Sequence, residues 1–199
     1  MAARFIEPLT LRGEHATLEP MVREHAEELG AAARDGELHK LWYTSVSDPA
    51  RMSDYIAAAL DMRERLGALP FVVRDNASGS IVGSTRYFNV DPVNRRLEIG
   101  HTWYAQRVQR TGVNTECKLL LLTHAFEVLN CIAVEFRTHW FNLASRAAIA
   151  RLGAKQDGVL RNHQLQADGS RRDTVVFSVI DGEWPAVKRH LRFLLVKPR

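Results

Sequence analysis

The first third of the chain switches between short apolar runs and helical periodicity. Residues 9–11 and 16–18 flank Arg12-Gly13-Glu14, the pattern of a turn or short hairpin. Residues 24–34 are rich in Ala, Glu and Leu and predict a helix, which Gly36 breaks. Asp48 is suited to cap the next helix, with Pro49 at its first position. Met52, Tyr55, Ile56, Ala59 and Leu60 then recur at helical spacing towards Gly67.

Strand patterns follow. Residues 70–74 and 81–90 flank Asp75-Asn76-Ala77-Ser78-Gly79, dense turn chemistry, and predict a hairpin. A third strand spans 96–104. Strict alternation puts Leu97, Ile99, His101 and Trp103 on one face, and Glu98, Gly100, Thr102 and Tyr104 on the other. Next comes a wide apolar stripe, including Cys117, Leu121, Ala125 and Val128. It predicts a helix over 115–129 with Asn114 as its N-cap. A strand at 133–138, a helix over 142–152 stopping at Gly153, a hairpin of 159–165 with 174–180, and a helix over 184–195 complete the reading. That order predicts one α/β (α+β) domain over 1–199, its core spanning about 10–182. It contains one βαβ crossover, from 96–104 through 115–129 to 133–138.

A length of 199 residues fits one domain, and 46% hydrophobic with 25% charged residues excludes global disorder. No apolar run approaches the ~18 residues of a membrane span. Residues 1–8 carry Arg4 with no apolar stretch behind it, which does not read as a signal peptide. Only Cys117 and Cys131 are present, which points to a reducing cytoplasm and is too few for a zinc site. The histidines show no ligand spacing, so no metal is expected. A net charge of +4 and a pI of 9.3 suit an anionic ligand, but scattered basic residues do not suggest nucleic acid. Lys188, Arg189, Arg192, Lys197 and Arg199 read as a solvated basic face.

Chemistry concentrates at 104–118, where a strand ends, a polar loop with Gly112 follows, and a helix begins. Free amides at a helix start form an anion site, and Gln109, Arg110, Thr111 and Lys118 add side-chain donors. Gln109-Arg110-Thr111-Gly112-Val113-Asn114 resembles the Gln/Arg-x-x-Gly-x-Gly/Ala signature of GCN5-related N-acetyltransferases. In that family the loop cradles the pyrophosphate of acetyl-CoA. Leu97-Glu98-Ile99-Gly100 resembles the fourth strand of the family's RimJ/RimL-type branch. Asn142, Ser145 and Leu152-Gly153 resemble its Asn-x-x-Ser…Leu-Gly segment. Gly158-Val159-Leu160-Arg161, Asp168-Gly169, Arg172-Asp173 and Glu183-Trp184 resemble its closing part. The likeness runs from about residue 10 to 195.

The resemblance implies a mostly antiparallel central sheet, split in a V and flanked by helices. It also implies acetyl-CoA in the split, bound by backbone near Thr102, Trp103 and Tyr104, by 109–114 with Thr115 and Lys118, and by Asn142 and Ser145. An amine would attack directly, with Glu98 receiving its proton and Ser145 helping the thiolate leave. The acceptor is implied only as a primary amine, on a protein N-terminus or a small molecule. A homodimer, with no nucleic-acid or membrane partner, completes the expectation. Asn114 departs from the motif's last small residue, and Ile149 stands where many members have a proton-donating Tyr.

Each residue also has an ordinary structural reading: Glu98 paired to Arg, Ser145 a helix hydroxyl, Asn142 an N-cap, Cys117 core. His139 is open as a second base or as a loop histidine. Trp42, Tyr43 and Trp140 are open as an acceptor pocket or as aromatic packing. Two other functions stand beside the transferase: an acyl-CoA-binding module of the same fold, and a nucleic-acid-binding protein suggested by pI alone.

Overall fold

A computed structural model describes residues 5–44 and 46–197. Arg4 and Arg199, used in reading the two termini, lie outside the described residues. Among the described residues, eight strands form one sheet: β1 Leu11–Arg12, β2 Ala16–Pro20, β3 Leu69–Asp75, β4 Ile81–Asp91, β5 Arg96–Tyr104, β6 Ala133–His139, β7 Lys155–Leu165 and β8 Arg171–Ile180. Their order is β1-β2-β3-β4-β5-β6-β8-β7. All neighbours are antiparallel except β5 and β6, which the expected crossover makes parallel.

Among the described residues, five α-helices flank the sheet: α1 Ala26–Arg34, α2 Met52–Leu66, α3 Val113–Thr123, α4 Leu143–Arg151 and α5 Trp184–Val196. Several ends form as the sequence dictates. Asp48 accepts from the Ala50 amide ahead of α2, and Gly67 ends that helix at φ +66°. Asn142 caps α4 by accepting from the Ser145 amide at 3.0 Å. Tyr55 of α2 donates to Ser84 at 3.0 Å on one face of β4. Tyr87 donates to the Leu121 carbonyl of α3 at 2.6 Å on the other. The core lies along both faces, with Leu18, Phe71, Tyr87, Leu97, Ile99 and Leu121 fully buried.

The helix after the polar loop differs from expectation. It starts at Val113 with Gly112 at its cap, so Asn114 sits inside the first turn. Its end widens into a π turn over His124–Val128, where the Leu129 amide bonds the His124 carbonyl at 3.0 Å. β7 begins at Lys155, earlier than the apolar pattern starts, because its first residues are exposed edge positions.

Candidate active site

Pairing between β5 and β6 covers only Arg96–Ala133, Leu97–Val134 and Glu98–Glu135. Beyond that register the strands part, which leaves the β6-facing edge of β5 without a strand partner. This is the expected split, and Glu98 stands at its apex.

β5 is also bulged within the split. Arg86 pairs with Gly100 and Ser84 with Trp103, so β5 carries one extra residue between them. His101 takes the strain at φ +49°. The bulge overturns the strict alternation. His101 and Trp103 share the Glu98 face, and Thr102 and Tyr104 turn towards α3. His101 accordingly packs edge-on to Phe88 at 4.9 Å, while Thr102 bonds Thr85 at 2.8 Å.

Glu98 is 4% exposed. Asn89 donates to its Oε2 at 2.9 Å and the Arg137 guanidinium lies 3.4 Å away. Burial dominates over both and raises its carboxyl to about 7. Asn89 escaped the sequence reading; it reaches Glu98 from a second irregularity, at φ +48°.

On the other face the anion loop is tied to itself. Gln109 Nε2 donates to the Tyr104 carbonyl at 3.0 Å, Thr111 Oγ1 to the Val108 carbonyl, and Arg110 adopts φ +60°. The amides of Gly112, Asn114 and Thr115 make no backbone bond among the described residues. They form the free start of α3 that an anion needs. Asn114 Oδ1 is buried without a donor there. Arg151 of α4 donates to Thr115 Oγ1 at 3.0 Å, adding a guanidinium the loop motif did not reveal.

Lys118 does not join this loop. It is 4% exposed, and its Nζ donates to Thr102 at 2.8 Å and Thr85 at 3.3 Å, beneath the bulge. Burial lowers its pKa to about 8. Glu116 is committed to the fold: its carboxylate accepts from the amides of Glu14, His15 and Ala16.

His139 is not placed as a base. Its Nδ1 accepts from the Phe141 amide at 3.1 Å, which consumes the lone pair of the neutral ring. Burial, with Arg172 adding to it and the Asp173 carboxylate opposing, lowers its pKa. Trp42 packs on His139 at 5.0 Å and on Phe141 at 5.6 Å, and Tyr43 lies beside Trp42. Trp140 lies apart from this group, beneath Arg146 at 4.3 Å. Ser145 is half-buried, and its hydroxyl makes no hydrogen bond among the described residues. Cys117 is fully buried with its thiol pushed up to about 12, so it is core. No group of three or more His, Cys, Asp or Glu among the described residues could hold a metal, and no described helix could cross a membrane.

A split parallel strand pair, a bulge, a buried carboxylate and a free helix start together define a GNAT-type domain. The model of the acetyltransferase (GNAT) domain family matches residues 15–155, and the chain belongs to that family. A GCN5-related N-acetyltransferase from Brucella melitensis is 30% identical, with a TM-score of 0.84 over 96% of this chain and 87% of that one. The Bacillus subtilis (strain 168) protein named "Putative ribosomal N-acetyltransferase YdaF" is 34% identical over 110 residues, 55% of this chain. The chain spans 59% of that relative's length. Mycobacterium smegmatis RimJ, solved with CoA-disulfide, shares the fold: TM-score 0.77, 21% identity, 94% and 95% covered.

Proposed function

We propose that the protein is an acetyl-CoA-dependent N-acetyltransferase acting on a primary amine. The observation that carries this is Glu98, a buried carboxylate raised to about 7 at the apex of the β5–β6 split. A base with that pKa is half-ionised near neutral pH, where it takes a proton most efficiently. Acetyl-CoA supplies an activated acetyl thioester. The free amides of Gly112, Asn114 and Thr115, with Arg151 beside them, suit its pyrophosphate. The open β5 edge suits backbone bonding to its pantetheine arm.

The chain's own groups then divide the work. Glu98 accepts the proton that the attacking amine releases as its nitrogen bonds the carbonyl carbon and the carbon–sulfur bond breaks. A β5 amide between Thr102 and Tyr104 polarises the carbonyl, a contribution of about 3 kcal/mol. Ser145 gives a proton to the departing sulfur and recovers one from solvent. Asn142 fixes Ser145 through the α4 cap. The ribosomal name of the Bacillus relative favours a protein N-terminus as acceptor. Two buried, unbridged cysteines suit a cytoplasmic location.

The test follows free thiol release from acetyl-CoA over a panel of amines, for the wild type and Glu98→Gln. The wild type is expected to release thiol with at least one amine, and the variant to be slower by ~10²–10⁴-fold. Equal rates would remove Glu98 from the mechanism. Thermal stabilisation by acetyl-CoA without any thiol release would make the protein an acyl-CoA-binding module instead.

A further inference from the structure

The sheet face that carries Glu98 holds guanidinium groups with no carboxylate of their own. Arg96 and Arg137 both pair with Glu135. Arg86 and Arg172 form no ion pair among the described residues. Arg86 is 2% exposed. Its Nη1 donates to Met62 Sδ at 3.2 Å, its guanidinium covers the Tyr55 ring at 5.3 Å, and its Nε has no acceptor. Arg172 is half-buried, with Nε donating to Thr174 Oγ1 at 3.1 Å and its terminal nitrogens uncommitted. Thr174 stands opposite His139 in the β6–β8 pairing and Glu135 stands opposite Glu98, so Arg172, two residues from Thr174, shares one sheet face with His139 and Glu98.

His139 adds a second uncommitted donor. With Nδ1 accepting from Phe141, the proton of the neutral ring sits on Nε2, and that atom is buried without an acceptor. His101 supplies no charge of either sign, since burial, reinforced by Arg86 and Arg172, drives its pKa down to about 3. Burying donors and cations without partners is costly, so a site that keeps them is built for a group that will fill them.

We propose that Arg172 and His139 bind a carboxylate of the acceptor, which is therefore a primary amine carrying a carboxylate a few bonds from its nitrogen. This rests on the transferase reading above. The amine lies at Glu98, and the carboxylate takes the planar fork of Arg172 and the Nε2–H of His139. Arg86 adds positive potential from beneath without contact. Trp42, Tyr43 and Phe141 form the apolar rim around His139. A free amino acid and an N-terminal acidic residue of a peptide both carry this chemistry.

Thiol release is measured with two matched pairs: phenylalanine against phenylalaninamide, and a peptide beginning with Asp against the same peptide beginning with Asn. The proteins are wild type, Arg172→Gln and Arg172→Lys. In the wild type one acid member is expected to exceed its amide by about tenfold or more in kcat/KM. The pair that shows it identifies the source of the carboxylate. Arg172→Gln should cut that ratio about tenfold, and Arg172→Lys should retain part of it, since charge without the fork remains. Coenzyme A must still raise the melting temperature of both variants, which confirms their fold. A ratio untouched by Arg172→Gln, or amides preferred in both pairs, overturns the proposal. If no amine releases thiol, the transferase reading alone has failed. Calorimetric titration of the same pairs into the coenzyme A-saturated protein then decides the carboxylate reading by the same ratio.

Discussion

Burial of Glu98 costs the fold stability wherever its carboxylate is ionised. Its carboxyl is raised from 4.5 to about 7, chiefly by burial, against the opposing pull of Asn89 and Arg137. A group whose folded pKa lies above its unfolded value favours the folded state in its protonated form. That stability is fully present below about pH 4.5 and is lost as pH rises through about 7. The difference corresponds to about 3 kcal/mol, an upper figure for a group that relaxation can partly rehydrate. Glu98→Gln removes the titration while keeping an oxygen for Asn89. Melting curves should therefore coincide for variant and wild type near pH 4, and the variant should melt higher at pH 8. A variant that melts lower at pH 8 would mean that the ionised carboxylate, with Arg137, stabilises the fold. The same residue then reports both roles, since the variant should be the more stable and the slower enzyme.

Elements are held together by groups whose partners lie far away in sequence. Glu116, in the first turn of α3, accepts from three successive amides of the β1–β2 turn, at 2.9, 2.7 and 2.8 Å. Its carboxylate occupies the space that a Cβ at Gly13 would need, only 2.3 Å away. Glu116→Gln replaces one accepting oxygen with a donor facing other donors. A loss on the order of 3 kcal/mol is expected in denaturant unfolding, with the spectrum of the remaining fold native. A change below about 0.5 kcal/mol would show that the turn holds without this clamp. This is also where the sequence stops being readable. Caps at Asp48, Gly67, Asn142 and Gly153 are local chemistry, and each stands where its residue type suggests. The βαβ crossover and the place of Glu98 on β5 were legible from strand pattern. The Glu116 clamp was not, because its acceptors' partners sit about a hundred residues away. Nor was the bulge at His101, which depends on register against β4. Lys118 read as a loop donor because it follows Asn114, the last residue of the loop motif, closely in sequence. One helical turn carries it beneath the sheet, to Thr85 and Thr102.

At the scale of the whole molecule, the split separates two surfaces of different chemistry. The α3 side offers free amides and Arg151; the α2 side offers Glu98, Arg172 and the His139 rim. A coenzyme lying in the split would join α3, the open edge of β5 and α4, whose last residue, Arg151, already bonds Thr115 of α3. Binding of that kind exists only in the native state, so it adds to stability by mass action. At a hundredfold excess over Kd the gain is about 2.7 kcal/mol. For a chain of this length that corresponds to a rise in Tm of roughly 5–10 °C. Coenzyme A and acetyl-CoA should both produce it, while an amine acceptor alone should not. Gly112→Asp should abolish most of it, because a carboxylate is then set beside the free amides at the start of α3. That substitution also presses on His15, whose ring lies 2.7 Å from the position of a Cβ at Gly112. Gly112→Ala carries the same crowding without the charge and serves as its control. The alanine variant should keep most of the coenzyme's effect on Tm, whatever its own baseline. If the two variants lose that effect equally, crowding at His15 explains the loss, and the α3 start is not the anion site. If millimolar acetyl-CoA leaves the wild-type Tm unchanged, the split does not hold the coenzyme at all.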